Sequence, residues 1–200
     1  MSDAVTLTVA VEAPKIASPD AMFTSLSKVN FNPGGVADNH TSNGSWDVFI
    51  TKYNSDGSYS WTKTFGGSGG DIGISIISDY QGNIFITGVF QDTVDFNPGG
   101  IADNHTSNGG EDIFISRLNS DGSYGWTKTF GGSGDDRGYS ITSDNLGNIY
   151  ITGRFDNTVN FNPGGVADNH ISNGNDDAFI TKYKPDGSYS WTKTFGGRFK

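Results

Sequence analysis

The chain has 200 residues, of which 34% are hydrophobic and 18% charged, with 29 glycines, 13% aromatics and no cysteine. Its net charge of −9 argues against nucleic acid and anionic membrane surfaces, since both are held by clustered Lys and Arg. The absence of cysteine excludes a disulfide framework, a thiolate zinc site and a cysteine nucleophile. Acidic charge is carried almost wholly by Asp, with Glu only at Glu12 and Glu111, which places the carboxylates on turns and loops.

From the N-terminus, Met1–Ala13 lacks the basic region and long apolar run of a signal peptide, and no stretch reaches the roughly 18 apolar residues of a membrane-spanning helix. Leu7–Glu12 reads as a first strand, whereas Ala21–Ser27 is irregular. Beyond it a 65-residue period sets in. Trp61, Trp126 and Trp191 obey it, as do Phe31, Phe96 and Phe161, and His40, His105 and His170. Residues 71–135 and 136–200 agree at 41 of 65 positions. The period divides the chain into units 6–70, 71–135 and 136–200, and a repeat of this kind predicts stacked units that bury their faces on one another.

Unit two shows the pattern in full. Strands are predicted at Gly73–Ser78, Asn83–Phe90, Asp112–Leu118 and Tyr124–Phe130, all rich in β-branched and aromatic residues. Turns fall at Asp79–Gly82 and Asn119–Ser123, the latter with an Asp-Gly hairpin signal. Gln91–Glu111 is a long polar connection between the second and third strands, and Gly131–Gly138 links the fourth strand to the next unit. Four antiparallel strands per unit make one blade, so the fold class is all-β, a β-propeller of three four-stranded blades. Phe49, Ile50, Phe114, Ile115, Phe179 and Ile180 lie on third strands and are expected inside on both faces.

The succession of a GxSI strand, a D-x-x-GN turn, an IYITG strand, DxFITK, a DG turn and a W-x-K-x-FGGSGDD ending resembles the bacterial seven-bladed β-propeller repeat (SBBP-type) family. The likeness covers units two and three and the second half of unit one. It departs at Ala21–Ser27 and at the ending Phe195–Lys200 (FGGRFK). The resemblance implies a secreted or cell-surface bacterial protein and brings no catalytic residues. Three blades are too few to close a propeller, which uses about four to eight, so two chains are expected to join as a homodimer completing a six-bladed ring, or the chain is part of a longer propeller, or it forms an open arc that is aggregation-prone at its ends.

In a propeller the second-to-third-strand and unit-to-unit connections share one face. Asp103, His105, Asp135, Asp136, Asp168 and His170 lie in these connections and are the candidate ligand-binding residues, for a glycan or protein. Asp95, Asn97 and Asp103, with Gly100 at the sixth position, have a spacing akin to a Ca²⁺ loop; the alternative is a network of Asx turns. No serine-hydrolase elbow, HExxH or P-loop occurs, and no catalytic residue is assigned. Near-identical units favour a repetitive binding scaffold over a propeller lyase or glycoside hydrolase, since catalysis needs different residues on different blades; a structural spacer is the third alternative.

Overall fold

The computed structural model describes residues 6–8 and 28–197, with side chains for 28–197. Fifteen strands follow in chain order. Unit one contributes β1 (Thr6–Thr8), β2 (Lys28–Asn30), β3 (Asn39–Thr41), β4 (Val48–Tyr53) and β5 (Tyr59–Phe65). Unit two has β6 (Ile72–Ser78), β7 (Ile84–Phe90), β8 (Thr93–Asp95), β9 (Asn104–Thr106), β10 (Asp112–Leu118) and β11 (Tyr124–Phe130). Unit three has β12 (Arg137–Ser143), β13 (Ile149–Asn160), β14 (Asn169–Tyr183) and β15 (Tyr189–Phe195). The described residues are all-β, and every sheet is antiparallel and open-edged, as in a fragment of a β-propeller.

Units two and three each form a four-stranded sheet, β6-β7-β10-β11 and β12-β13-β14-β15. Unit one differs: among the described residues its sheet has three strands, β1-β4-β5. The stretch read as a first strand, Leu7–Glu12, meets the structure only at its start, where Thr6–Thr8 pairs directly with Thr51–Tyr53. That is the place of a second strand, since Ile84–Ile86 pairs in the same register with Ser116–Leu118. Residues 9–12 and Ala21–Ser27 lie outside the described residues.

The third and fourth strands of each sheet turn through Asn54–Ser58, Asn119–Ser123 and Lys184–Ser188. In unit two the Asp121 carboxylate accepts the Ser123 N–H at 2.8 Å, and Gly122 takes φ 83°, which its lack of a β-carbon permits. The long connection read as a loop is a second layer of structure. In unit two β8 and β9 pair as a two-stranded ribbon, in unit one β2 and β3 do the same, and in unit three the ribbon is continuous with β13 and β14. Asp92 and Asn157, at the ribbon roots, have φ of 58° and 61°, a backbone region that Asp and Asn tolerate better than other side chains.

The sheets stack face to face, and strand alternation sends successive side chains into successive interfaces. Ile84, Ile86, Phe90 and Phe114 pack with Val48, Ile50 and Phe65 of unit one. Phe85, Ile113 and Ile115 pack with Ile149, Ile151, Phe155 and Phe179 of unit three. The expectation of a third strand buried on both faces therefore holds for Phe114 and Ile115, but Phe49 and Ile180 are only half-buried. These two face outward from the first and third sheets, and among the described residues nothing stacks on those faces.

Candidate functional site

Each ribbon is pinned to its own sheet by the same four side chains. In unit two Tyr124 donates its hydroxyl proton to Asp103, whose other oxygen lies 3.3 Å from His105 Nε2, while His105 Nδ1 is 2.8 Å from the Thr129 hydroxyl. Unit one repeats this with Tyr59, Asp38, His40 and Thr64, and unit three with Tyr189, Asp168, His170 and Thr194. The Tyr59 hydroxyl, followed by His40, holds the Asp38 carboxyl below the usual carboxylate range. Burial, reinforced by the neighbouring carboxylate, pushes the Tyr124 and Tyr189 phenols well above theirs, so they remain hydrogen-bond donors. A phenylalanine edge completes the clamp: Phe96 meets His105 at 5.5 Å and Phe161 meets His170 at 5.4 Å. The candidate residues Asp103, His105, Asp168 and His170 thus belong to ribbon clamps, with their polar edges partly open; the His105 and Asp103 side chains are 22% and 39% exposed.

Between units two and three runs a groove of about 550 Å³. One wall is the outer strand of unit two, with Thr127, Lys128 and Thr129 beside His105. The other wall belongs to unit three, with the ribbon tip Asn162–Gly165 and with Tyr183, Ser188 and Tyr189. Its lining includes hydroxyls, an imidazole and the Lys128 ammonium group, with Tyr189 partly exposed and Tyr183 buried at 2% exposure. The 65-residue period places His40, Lys63, Thr64, Asn97–Gly100, Ser123 and Tyr124 at the corresponding positions of units one and two.

Sequence reasoning identified His105 but not Lys128, Thr129, Ser188 or Tyr189. Their signal is present in the repeated SYxWTKT segment. Trp61 and Trp126 in that segment pack across unit boundaries: a β-carbon on Gly122 or Gly187 would come within 2.8 or 2.9 Å of the respective indole. Of the candidates in the unit-to-unit connection, Asp135 is exposed and accepts the Glu111 N–H at 3.1 Å. Asp136 is fully buried, its oxygens accepting the N–H groups of Gly132 and Asp156 at 2.7 and 2.9 Å. It holds the connection together.

The Asp95, Asn97 and Asp103 set does not fit a Ca²⁺ ion. One oxygen of Asp95 accepts both the Asn97 and the Asp103 N–H at 2.9 Å, Asn97 donates its amide to Ile101 O, and Asp103 is engaged by Tyr124 and His105. Asn30 and Asn160 accept the same pair of N–H groups in units one and three. The position therefore requires an oxygen acceptor and no negative charge, whereas Ca²⁺ takes six to eight oxygens, several of them carboxylate. Among the described residues no three His, Asp or Glu side chains gather as a metal site.

A second set of carboxylates recurs below the ribbons. Asp47, Asp112 and Asp177, at the entry to each third strand, accept an N–H from Asn43, Asn108 and Asn173 with one oxygen and leave the other buried without a partner. Burial pushes the Asp112 carboxyl up to about 6, and Asp71 likewise to about 6.

A comparison with protein families finds a match to the beta-propeller repeat (SBBP) over residues 125–154. No curated protein matches the chain. The matched stretch runs from β11 through the connection holding Asp135 and Asp136 into β13, so it straddles the boundary between two sheets. Together with the stacked antiparallel sheets, this identifies residues 125–154 as an SBBP-type β-propeller repeat.

Proposed function

We propose that the chain is a non-enzymatic β-propeller module of a bacterial secreted or surface protein, and that it binds neutral oligosaccharide in the grooves between its units. The observation that carries this reading is the groove lined by His105, Lys128, Thr129, Ser188 and Tyr189. Sugars are bound by planar hydrogen-bonding groups and tyrosine rings, and the acidic net charge of −9 disfavours strongly anionic chains. Recurrence of the lining residues one period earlier favours a repetitive ligand, because linked weak sites gain through avidity. The location rests on the family resemblance.

A glycan array followed by chemical-shift mapping tests it. The expected result is binding of a neutral oligosaccharide with shifts confined to the two grooves, at β5, the Asn97–Gly100 tip and the Asn119–Tyr124 hairpin and at β11, the Asn162–Gly165 tip and the Lys184–Tyr189 hairpin. Lys128→Ala should weaken binding about 5-fold or more, the loss of one charge-assisted hydrogen bond. An array without hits, or shifts confined to other surfaces, overturns the reading and leaves a structural spacer.

A further inference from the structure

The two boundaries inside the chain are built on one plan. The last strand of a unit projects a phenylalanine and a tryptophan into the next unit. Phe65 packs on Phe96 and Phe114 with ring centroids 5.1 and 5.5 Å apart, and Phe130 packs on Phe161 and Phe179 at 5.3 and 5.9 Å. Trp61 lies on Gly122 and Trp126 on Gly187, hairpin glycines of the following unit. Each boundary thus has a projecting side, Trp and Phe, and a receiving side, a ribbon Phe, a third-strand Phe and a hairpin Gly.

Both sides recur, unmatched among the described residues, at the first and third units. Phe195 stands where Phe65 and Phe130 stand, yet it is 62% exposed against their 4% and 1%. Trp191 precedes it at the spacing of Trp61 and Trp126. At the other end Phe31 and Phe49 form the receiving pair, 4.8 Å apart, and both are half-buried, whereas Phe96, Phe114, Phe161 and Phe179 are at most 2% exposed. Gly57 is open: among the described residues nothing lies within 4 Å of a β-carbon built on it. The inner part of the projecting face has become more polar, with Tyr139, Tyr150, Arg154 and Ala178 in place of Ile74, Phe85, Val89 and Ile113. The outer strands retain the plan.

We propose that the exposed face of unit three docks on the exposed face of unit one of a second copy of this chain, Phe195 entering between Phe31 and Phe49 and Trp191 resting on Gly57. The occupant is a second copy because the two ends continue the interface the chain already makes twice within itself. Two such junctions would close two copies into a ring of six units, and an unclosed series would form a filament. The contact is independent of the sugar reading. It would also complete a third groove, with His170, Lys193 and Thr194 of one copy facing Asn32–Gly35, Tyr53 and Tyr59 of the other.

Light scattering after size exclusion tests the junction over micromolar to submillimolar concentrations. The expected mass is a multiple of 21.3 kDa that grows with concentration. Phe195→Asp, at an exposed position, should weaken association about 30-fold or more, as hot-spot truncation does. Gly57→Asn keeps the left-handed turn accessible and should weaken it too. A mixture of the two variants should form a pair at concentrations where each alone is monomeric, since each retains the face the other has lost. Unchanged circular dichroism shows the variants folded. A wild-type chain of 21.3 kDa at every concentration, or association indifferent to both substitutions, overturns the proposal.

Discussion

Asp112 shows how one buried carboxyl sets a pH dependence. It is 1% exposed, and one of its oxygens accepts the Asn108 N–H and side-chain amide, each at 3.0 Å, while the other has no partner. Burial raises its carboxyl from 3.8 to about 6, and the nearby Asp136 charge adds to the rise. A carboxyl raised on folding contributes stability that is present below its unfolded value and is lost as pH climbs through the folded one. Asp71 shifts in the same direction, so the melting temperature should rise as pH falls from 7 to 5. Asp38, Asp144 and Asp186 shift the opposite way, held low chiefly by side-chain hydrogen bonds, and their contribution is lost only as pH falls below about 4. Asp112→Asn keeps an oxygen for the Asn108 N–H and removes the buried charge. At pH 7 it should melt no lower than wild type, and the gain between pH 7 and 5 should shrink. Thermal melts at the two pH values check this; a large drop at pH 7 would mean that the ionised form is needed.

Third strands reveal what stacking contributes. Phe114 is fully buried against Phe65 and Phe96, so Phe114→Ala should cost about 3–5 kcal/mol, the usual loss for a large buried aromatic. Phe49 occupies the same place in β4 but is only half-buried among the described residues, and Phe49→Ala should cost roughly half as much, because less of its surface is withdrawn from water. Urea unfolding of both variants gives the comparison, and equal costs would contradict the open end. These strands were legible in the sequence because alternation and β-branched content mark them directly: β10 and β11 run from Asp112 to Leu118 and from Tyr124 to Phe130, as expected. The ribbons were not legible. Thr93–Asp95 and Asn104–Thr106 are three-residue strands of mostly polar residues, and what holds them, the Tyr124, Asp103, His105 and Thr129 clamp, joins residues up to 24 apart in sequence. The Asp95 spacing suggested a metal loop because an Asx turn and a cation loop both need oxygen near a tight glycine turn; only the directions of the N–H groups separate them. The place of Thr6–Thr8 was hidden for another reason: it pairs outside the 65-residue register.

At the scale of the whole molecule the stack has a centre and two ends. Unit two is covered on both faces: β7 is buried throughout, and β10 at every residue but Arg117. Among the described residues, units one and three each have one covered face. In a linear array, stability is close to a sum of unit terms and nearest-neighbour interfaces, so the middle unit, with two interfaces, opens last. Amide hydrogen exchange should therefore be slowest in β7 and β10 and faster in β4 and β15, whose outer sides carry the half-buried Phe49 and the exposed Phe195. Concentration then separates a free array from a joined one. Association stabilises only the conformation that binds, so junctions between copies should slow exchange in β4, β14 and β15 as protein concentration rises. β10 should keep its rate, because its two interfaces are already made within the chain. Uniform protection across the three sheets in dilute protein would contradict the stacked order of stabilities. End strands whose exchange never responds to concentration would contradict the junction alone.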